Sequence, residues 1–220
     1  MEQRTLFLFK LTEEFMEESD RLLAIADRLL SPEGCPWDRE QTLFTLQPYL
    51  LEEGHELIEA IDAQDPSKVA EELGDVLYVL IFAAKLGEKN GAFTLSDAIR
   101  TVSEKLIRRH PHVFGKEKVS SADEVLTHWE EVKKKEGKKN PIDHIPPTLP
   151  ALARAQKVIH KLRRAKSSAI EGKISEGIEQ RLWDLVAEAE AQGIDAESAL
   201  RRISLAYEKK AKSAEREPRM

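Results

Sequence analysis

Apolar residues along most of this chain recur at intervals of three and four, the spacing that gathers them on one face of an α-helix. Between Thr12 and Leu30 they fall at Phe15, Leu22, Leu23, Ile25, Ala26 and Leu29, and from Thr42 to Ala63 at Leu46, Leu50, Leu57, Ile58 and Ile61. Ala, Leu, Glu, Lys and Arg dominate the composition, as in packed amphipathic helices. The expected fold is therefore all-α.

Punctuation residues divide the pattern. Ser31 to Asp38 carries two prolines and a glycine and reads as a structured loop. Asp65-Pro66 restarts a helix that runs to Lys89 and stops at Asn90-Gly91. Thr94 or Ser96 caps the next helix, which passes through Ile99, Val102, Leu106 and Ile107 and ends before Pro111. A shorter helix is expected from the capping box Ser121-Ala-Asp-Glu124 to Gly137. Four prolines between Asn140 and Pro150 then mark a linker. Helices over roughly 151–166, 176–191 and 196–213 complete the chain. The expected organisation is a first helical domain at 1–139, a linker at 140–150 and a second helical region at 151–220.

Forty acidic against thirty-four basic residues give a net charge of -6, a balance that disfavours nucleic-acid polymers and anionic membranes. The one apolar run near the start, Leu6 to Phe9, falls far short of the about 20 residues that span a bilayer. With a single cysteine, Cys35, no intramolecular disulfide is available, and a cytoplasmic protein is expected.

The residues that carry chemistry are paired acids. Glu53 and Glu56 are three residues apart, about 60 degrees from each other around a helix and within one turn. Glu72 and Asp75 repeat the spacing on the following helix, which a short turn makes an antiparallel neighbour. Charged runs on helices are ordinarily solvated faces, but two facing pairs place four like charges together, and a cation relieves them. Val69, Leu73, Val76, Leu77, Leu80 and Ile81 surround Glu72 and Asp75, so Asp75 is expected near the core-facing stripe. All-oxygen ligation suits magnesium, or manganese, rather than zinc. Glu52 adjoins the pair and offers a base for a water proton. Glu52-x-x-His55 also has the spacing of di-iron bundles, but the following helix supplies no second histidine.

Several motifs in order resemble the MazG-type nucleoside triphosphate pyrophosphohydrolases: Cys35-Pro-Trp-Asp-Arg-Glu-Gln-Thr42, Glu52-Glu-Gly-His-Glu56, Glu72-Leu-Gly-Asp75, Lys105-Leu-Ile-Arg-Arg-His-Pro-His-Val-Phe-Gly115 and Trp129-Glu-Glu-Val-Lys133. The resemblance implies an all-helical bundle, dimeric or higher, in which water attacks the α-phosphorus of a nucleoside triphosphate and pyrophosphate leaves. It implies Glu53, Glu56, Glu72 and Asp75 as ligands of Mg2+. Lys105, Arg108 and Arg109 would contact phosphates, with Trp129 beside the nucleotide. A cationic strip on one helix suits a triphosphate in any case, although basic residues also favour helix C-termini for their own sake. A homodimer is expected independently, since short helices leave one bundle face apolar.

The second region departs from two-domain members of that family. Ala98 to Arg109 aligns with Ala199 to Lys210, and Leu73-Gly-Asp75 with Leu182-Trp-Asp184, as an eroded duplication would. Arg181 then stands in the place of Glu72, and nothing matches Glu52 to Glu56, so the second region is read as degenerate. A narrower enzyme for a deoxynucleotide or phosphoribosyl-ATP, and a non-catalytic nucleotide-binding regulator, are the alternative readings.

Overall fold

The computed structural model describes residues 2–117 and 145–214, with positions 119, 121, 124, 125, 132, 140, 142 and 143 between them. Every regular element among the described residues is helical, as the periodicity requires. Packing divides the chain into two compact units, residues 1–117 and 118–220.

The first unit contains α1 (Glu2–Leu30), α2 (Pro36–Glu40), α3 (Gln47–Ala63), α4 (Pro66–Lys89), α5 (Leu95–Arg109) and α6 (Pro111–Phe114). Its centre is the α3/α4 hairpin. Gln64 closes α3 in the left-handed region at φ 56°, donating its N–H to the carbonyls of Ala60 and Ile61. Asp65 then caps α4 by accepting from the amides of Ser67 and Lys68 at 3.1 and 3.2 Å, with Pro66 supplying the preset φ of a first turn. A cap of this kind is worth about 1 kcal/mol. A connection of two residues, Gln64 and Asp65, leaves the helices no course but to pack side by side.

Two boundaries differ from the sequence expectation. The α3 helix begins at Gln47 rather than near Thr42, because Thr42 and Thr45 bond each other's backbone: the Thr42 amide donates to Thr45 Oγ1 at 2.9 Å and the Thr45 amide to Thr42 Oγ1 at 3.2 Å. Such local side-chain bonds compete with helix. The loop after α1 contains the short helix α2, started by Pro36. Gly34 lets this loop fold back, since a Cβ there would sit 2.2 Å from the Leu29 carbonyl oxygen. The next amide, Cys35, donates to that same oxygen at 2.9 Å.

Leu46, Phe82 and Leu86 form the core, with Leu30, Tyr49, Tyr78 and Ala83 packed against them. Burying each large side chain contributes about 1.5–3 kcal/mol. Lys85 ties α4 to α1 through Asp27 at 2.9 Å and also reaches Glu88 at 3.3 Å. Thr94 and Asp97 make a reciprocal capping box at the start of α5.

The core does not cover all the apolar faces that the sequence offers. Phe15, Ile25, Leu50 and Ile61, expected on buried faces, are exposed, as are Leu73, Leu77 and Leu80 of α4 and Ile99, Val102, Leu106 and Ile107 of α5. Among the described residues these apolar side chains are left uncovered.

In the second unit α7 (Ala151–Arg164), a 3-10 turn (Ser168–Ile170), α8 (Ile178–Ala191) and α9 (Ala196–Ala214) follow one another. Ile159 of α7 and Val186 of α8 are among its buried residues. Gln156 fastens the α8–α9 connection, donating to the Ile194 carbonyl at 2.7 Å and accepting from the Ala196 amide at 2.8 Å. Glu190 holds His160 at 3.0 Å and pairs with Arg163. The helix expected from Ser121 to Gly137 lies largely outside the described residues. No helix among those described is long and apolar enough to cross a membrane.

Candidate active site

The α3/α4 hairpin brings acidic residues from both helices to one point. Glu53, Glu56 and Glu72 each present a carboxylate oxygen within 4.8 Å of the others. Among the described residues this is the one group of three or more such side chains with that geometry. Glu72 is buried, Glu53 half-buried and Glu56 exposed, so the group forms a rim open on one side.

Asp75 stands outside the three but near enough to act on them. It lies four and seven residues before Val79 and Phe82, but contrary to the expectation of a place near the core it is exposed, and Glu72 is the buried acid of the pair. Burial raises the Glu53 pKa above the usual carboxylate range, and the charge of Asp75, then of Glu56, Glu52 and Glu72, raises it further. Burial also raises Glu72, followed by the charges of Glu56, Glu71 and Asp75, with Lys68 acting the other way. A site that strains its own carboxylates in this manner is one that a cation would relax. An all-oxygen donor set on two rigid helices fits a hard divalent ion.

Beside the carboxylates lies an aromatic cavity of about 120 Å3, lined by Trp37, Asp38, Leu46, Tyr49, Glu53, Tyr78, Val79 and Phe82. Trp37 and Tyr49 meet edge to face with centroids 5.7 Å apart. Glu53 belongs both to this lining and to the acidic group, so the cavity and the charged rim are one continuous site.

Of the other residues that the sequence points to, Glu52 is exposed next to Glu53. Lys105, Arg108 and Arg109 lie in the last two turns of α5, and the basic side chain whose field reaches Glu72 is Lys68. Trp129 lies outside the described residues. Sequence patterning alone did not mark Tyr49, Tyr78 or Lys68. The signal for the tyrosines was present, since Tyr49 lies four residues before Glu53 and Tyr78 three after Asp75, the spacing of a shared helix face.

Residues 41–114 match the family model described as the MazG nucleotide pyrophosphohydrolase domain. A relative from Thermotoga maritima, named nucleoside triphosphate pyrophosphohydrolase/pyrophosphatase MazG, is 38% identical over 220 residues, covering 89% of this chain and 85% of that protein. The chain belongs to the MazG family. The nucleoside triphosphate pyrophosphohydrolase of Escherichia coli K12 is 45% identical over 148 residues, which cover 65% of this chain but 56% of the relative's length. The chain thus spans little more than half of that relative's length. A crystal structure of a mazG-related protein from Thermotoga maritima, 36% identical, covers 52% of this chain and 98% of its own with a TM-score of 0.47.

Proposed function

We propose that this chain hydrolyses nucleoside triphosphates to the monophosphate and pyrophosphate with Mg2+, clearing unwanted nucleotides from the pool. The observation that carries the reading is the convergence of Glu53, Glu56 and Glu72 on one point beside an aromatic cavity. Glu53, Glu56 and Glu72 would hold the ion, with Asp75 completing the set. When bound, Mg2+ neutralises phosphate charge and lowers the pKa of water.

The remaining work falls to the chain. Water attacks the α-phosphorus, the bond to the bridging oxygen breaks, and pyrophosphate departs. Glu52, exposed at the rim, takes the proton from that water. Lys105, Arg108 and Arg109 hold the β- and γ-phosphates, as ammonium and guanidinium groups suit phosphate oxygens.

A homodimer goes with this reading. The exposed Leu73 and Leu77 flank Gly74 on α4. Gly54 on α3 and Gly74 on α4 have open space where a Cβ would point. Mid-helix glycine costs about 1 kcal/mol relative to alanine, and among the described residues no atom apart from the adjoining chain comes within 4 Å of a Cβ at either position, whereas a second copy would approach closely.

Pyrophosphate release from a nucleotide panel, with and without Mg2+, tests the activity, and orthophosphate as the sole product would sink it. Sedimentation at micromolar concentration tests the dimer, and a monomer alone would overturn it.

A further inference from the structure

The phosphate chemistry leaves one buried acid unused. Asp38, at the start of α2, is 8% exposed and lines the aromatic cavity. Among the described residues its carboxylate accepts no hydrogen bond. Neither of its oxygens is both fully shielded from solvent and unpartnered, so the carboxylate keeps contact with water that N–H donors of a ligand would replace with charge-assisted hydrogen bonds.

The cavity walls say what shape that group has. Trp37 and Tyr49 stand at 82° to each other, and Tyr78 and Phe82 lie with centroids 5.8 Å apart. The volume is about 120 Å3, somewhat less than the about 150 Å3 of a closed apolar cavity that takes up one benzene. The space is open on one side, so one six-membered ring enters edge-first with part of it left at the mouth. Glu53 lines the same space, so whatever the ring is attached to emerges at the acidic rim.

We propose that this cavity is the nucleobase pocket and that Asp38 selects the base by accepting two neighbouring N–H donors, which favours guanine. The proposal rests on the reading of the substrate as a nucleoside triphosphate. A carboxylate offers acceptors only. Guanine presents N1–H and the 2-amino group side by side at its six-membered ring. Adenine and cytosine set a ring-nitrogen lone pair beside their amino group, and uracil flanks its N–H with two carbonyls. Each of these turns a lone pair toward an Asp38 oxygen. Hypoxanthine keeps N1–H but lacks the amino group, so it isolates the second bond.

The test uses the full chain with Mg2+ and compares kcat/KM for GTP, ITP, ATP, CTP and UTP. Wild-type protein should favour GTP over ITP by about tenfold or more, the worth of one hydrogen bond to a charged acceptor. Asp38→Asn, which keeps the shape but replaces one acceptor with a donor, should erase that preference. Calorimetric binding of GMP and IMP without Mg2+ reads the pocket independently of turnover and should show the same ratio. Equal kcat/KM for GTP and ITP in the wild type overturns the proposal, and that comparison needs no variant. An unchanged ratio in a folded Asp38→Asn overturns it as well. If no triphosphate releases pyrophosphate, yet GMP binds about tenfold tighter than IMP and Asp38→Asn abolishes the difference, base selection stands and hydrolysis falls. If all five triphosphates release pyrophosphate at equal efficiency, hydrolysis stands and base selection falls.

Discussion

Glu53 on α3 and Glu72 on α4 present carboxylate oxygens within 4.8 Å of each other, and both are raised in pKa, first by burial and then by like charge. A group whose folded pKa is raised contributes stability that is fully present below its unfolded pKa and lost as pH rises through the folded value. The metal-free protein should therefore lose thermal stability as pH rises from below the ordinary glutamate range through the raised pKa values. Mg2+ bound there as proposed would displace those protons, so the increase in Tm that it gives should grow over the same window. Differential scanning fluorimetry from pH 4 to 8, with and without Mg2+, measures both trends, and a Mg2+ effect that is flat with pH would contradict them.

Removing one of these charges should separate stability from function. Glu72→Gln relieves the repulsion on its neighbours, so the metal-free variant should melt no lower than wild type. If Glu72 is a ligand as proposed, the same change removes it, and pyrophosphate release should fall by at least about a hundredfold, as losing several kcal/mol of charge stabilisation implies. Paired melting and turnover measurements would expose a merely structural role, in which both quantities drop together.

Glu53→Ala and Asp75→Ala address the ligand set. Asp75 lies outside the three clustered acids but is the foremost charge acting on Glu53. Both variants should weaken Mg2+ binding in calorimetry, Glu53→Ala the more strongly. Wild-type metal affinity in both would remove the case for catalysis at this hairpin.

The clamp between helices makes a prediction of another kind. Lys85 is raised in pKa chiefly by its hydrogen bond with Asp27, against an opposing effect of burial, and it joins α4 to α1. Asp27 is largely exposed, so solvent screening limits the pair. Asp27→Asn should cost about 1 kcal/mol, read as a lower denaturation midpoint with an unchanged m-value.

The extents of α4 and α5 were legible because their caps are local chemistry: Asp65-Pro66 and Thr94-x-x-Asp97 each satisfy helix amides within a few residues. The start of α3 was not, since the bonds between Thr42 and Thr45 answer to backbone geometry that residue types do not reveal. For the acids, spacing gave direction but not depth. Asp75 shares its face with Val79 and Phe82, yet whether another element covers that turn is a tertiary matter, and Glu72 proved to be the buried one. The cavity depended on three separate segments, around Trp37, Tyr49 and Tyr78, whose meeting no single periodicity encodes.

The turn at Gln64 and Asp65 does more than reverse the chain. All four acids lie on the one hairpin it closes, from Gln47 to Lys89, so their alignment is written in a loop length. One residue inserted there would turn Glu72 by about 100 degrees relative to the opposite helix and scatter the group without removing any of its members. Such a site is inherited or forfeited as a single cassette. A slip of one codon at this bend would silence the chemistry and leave the helices standing.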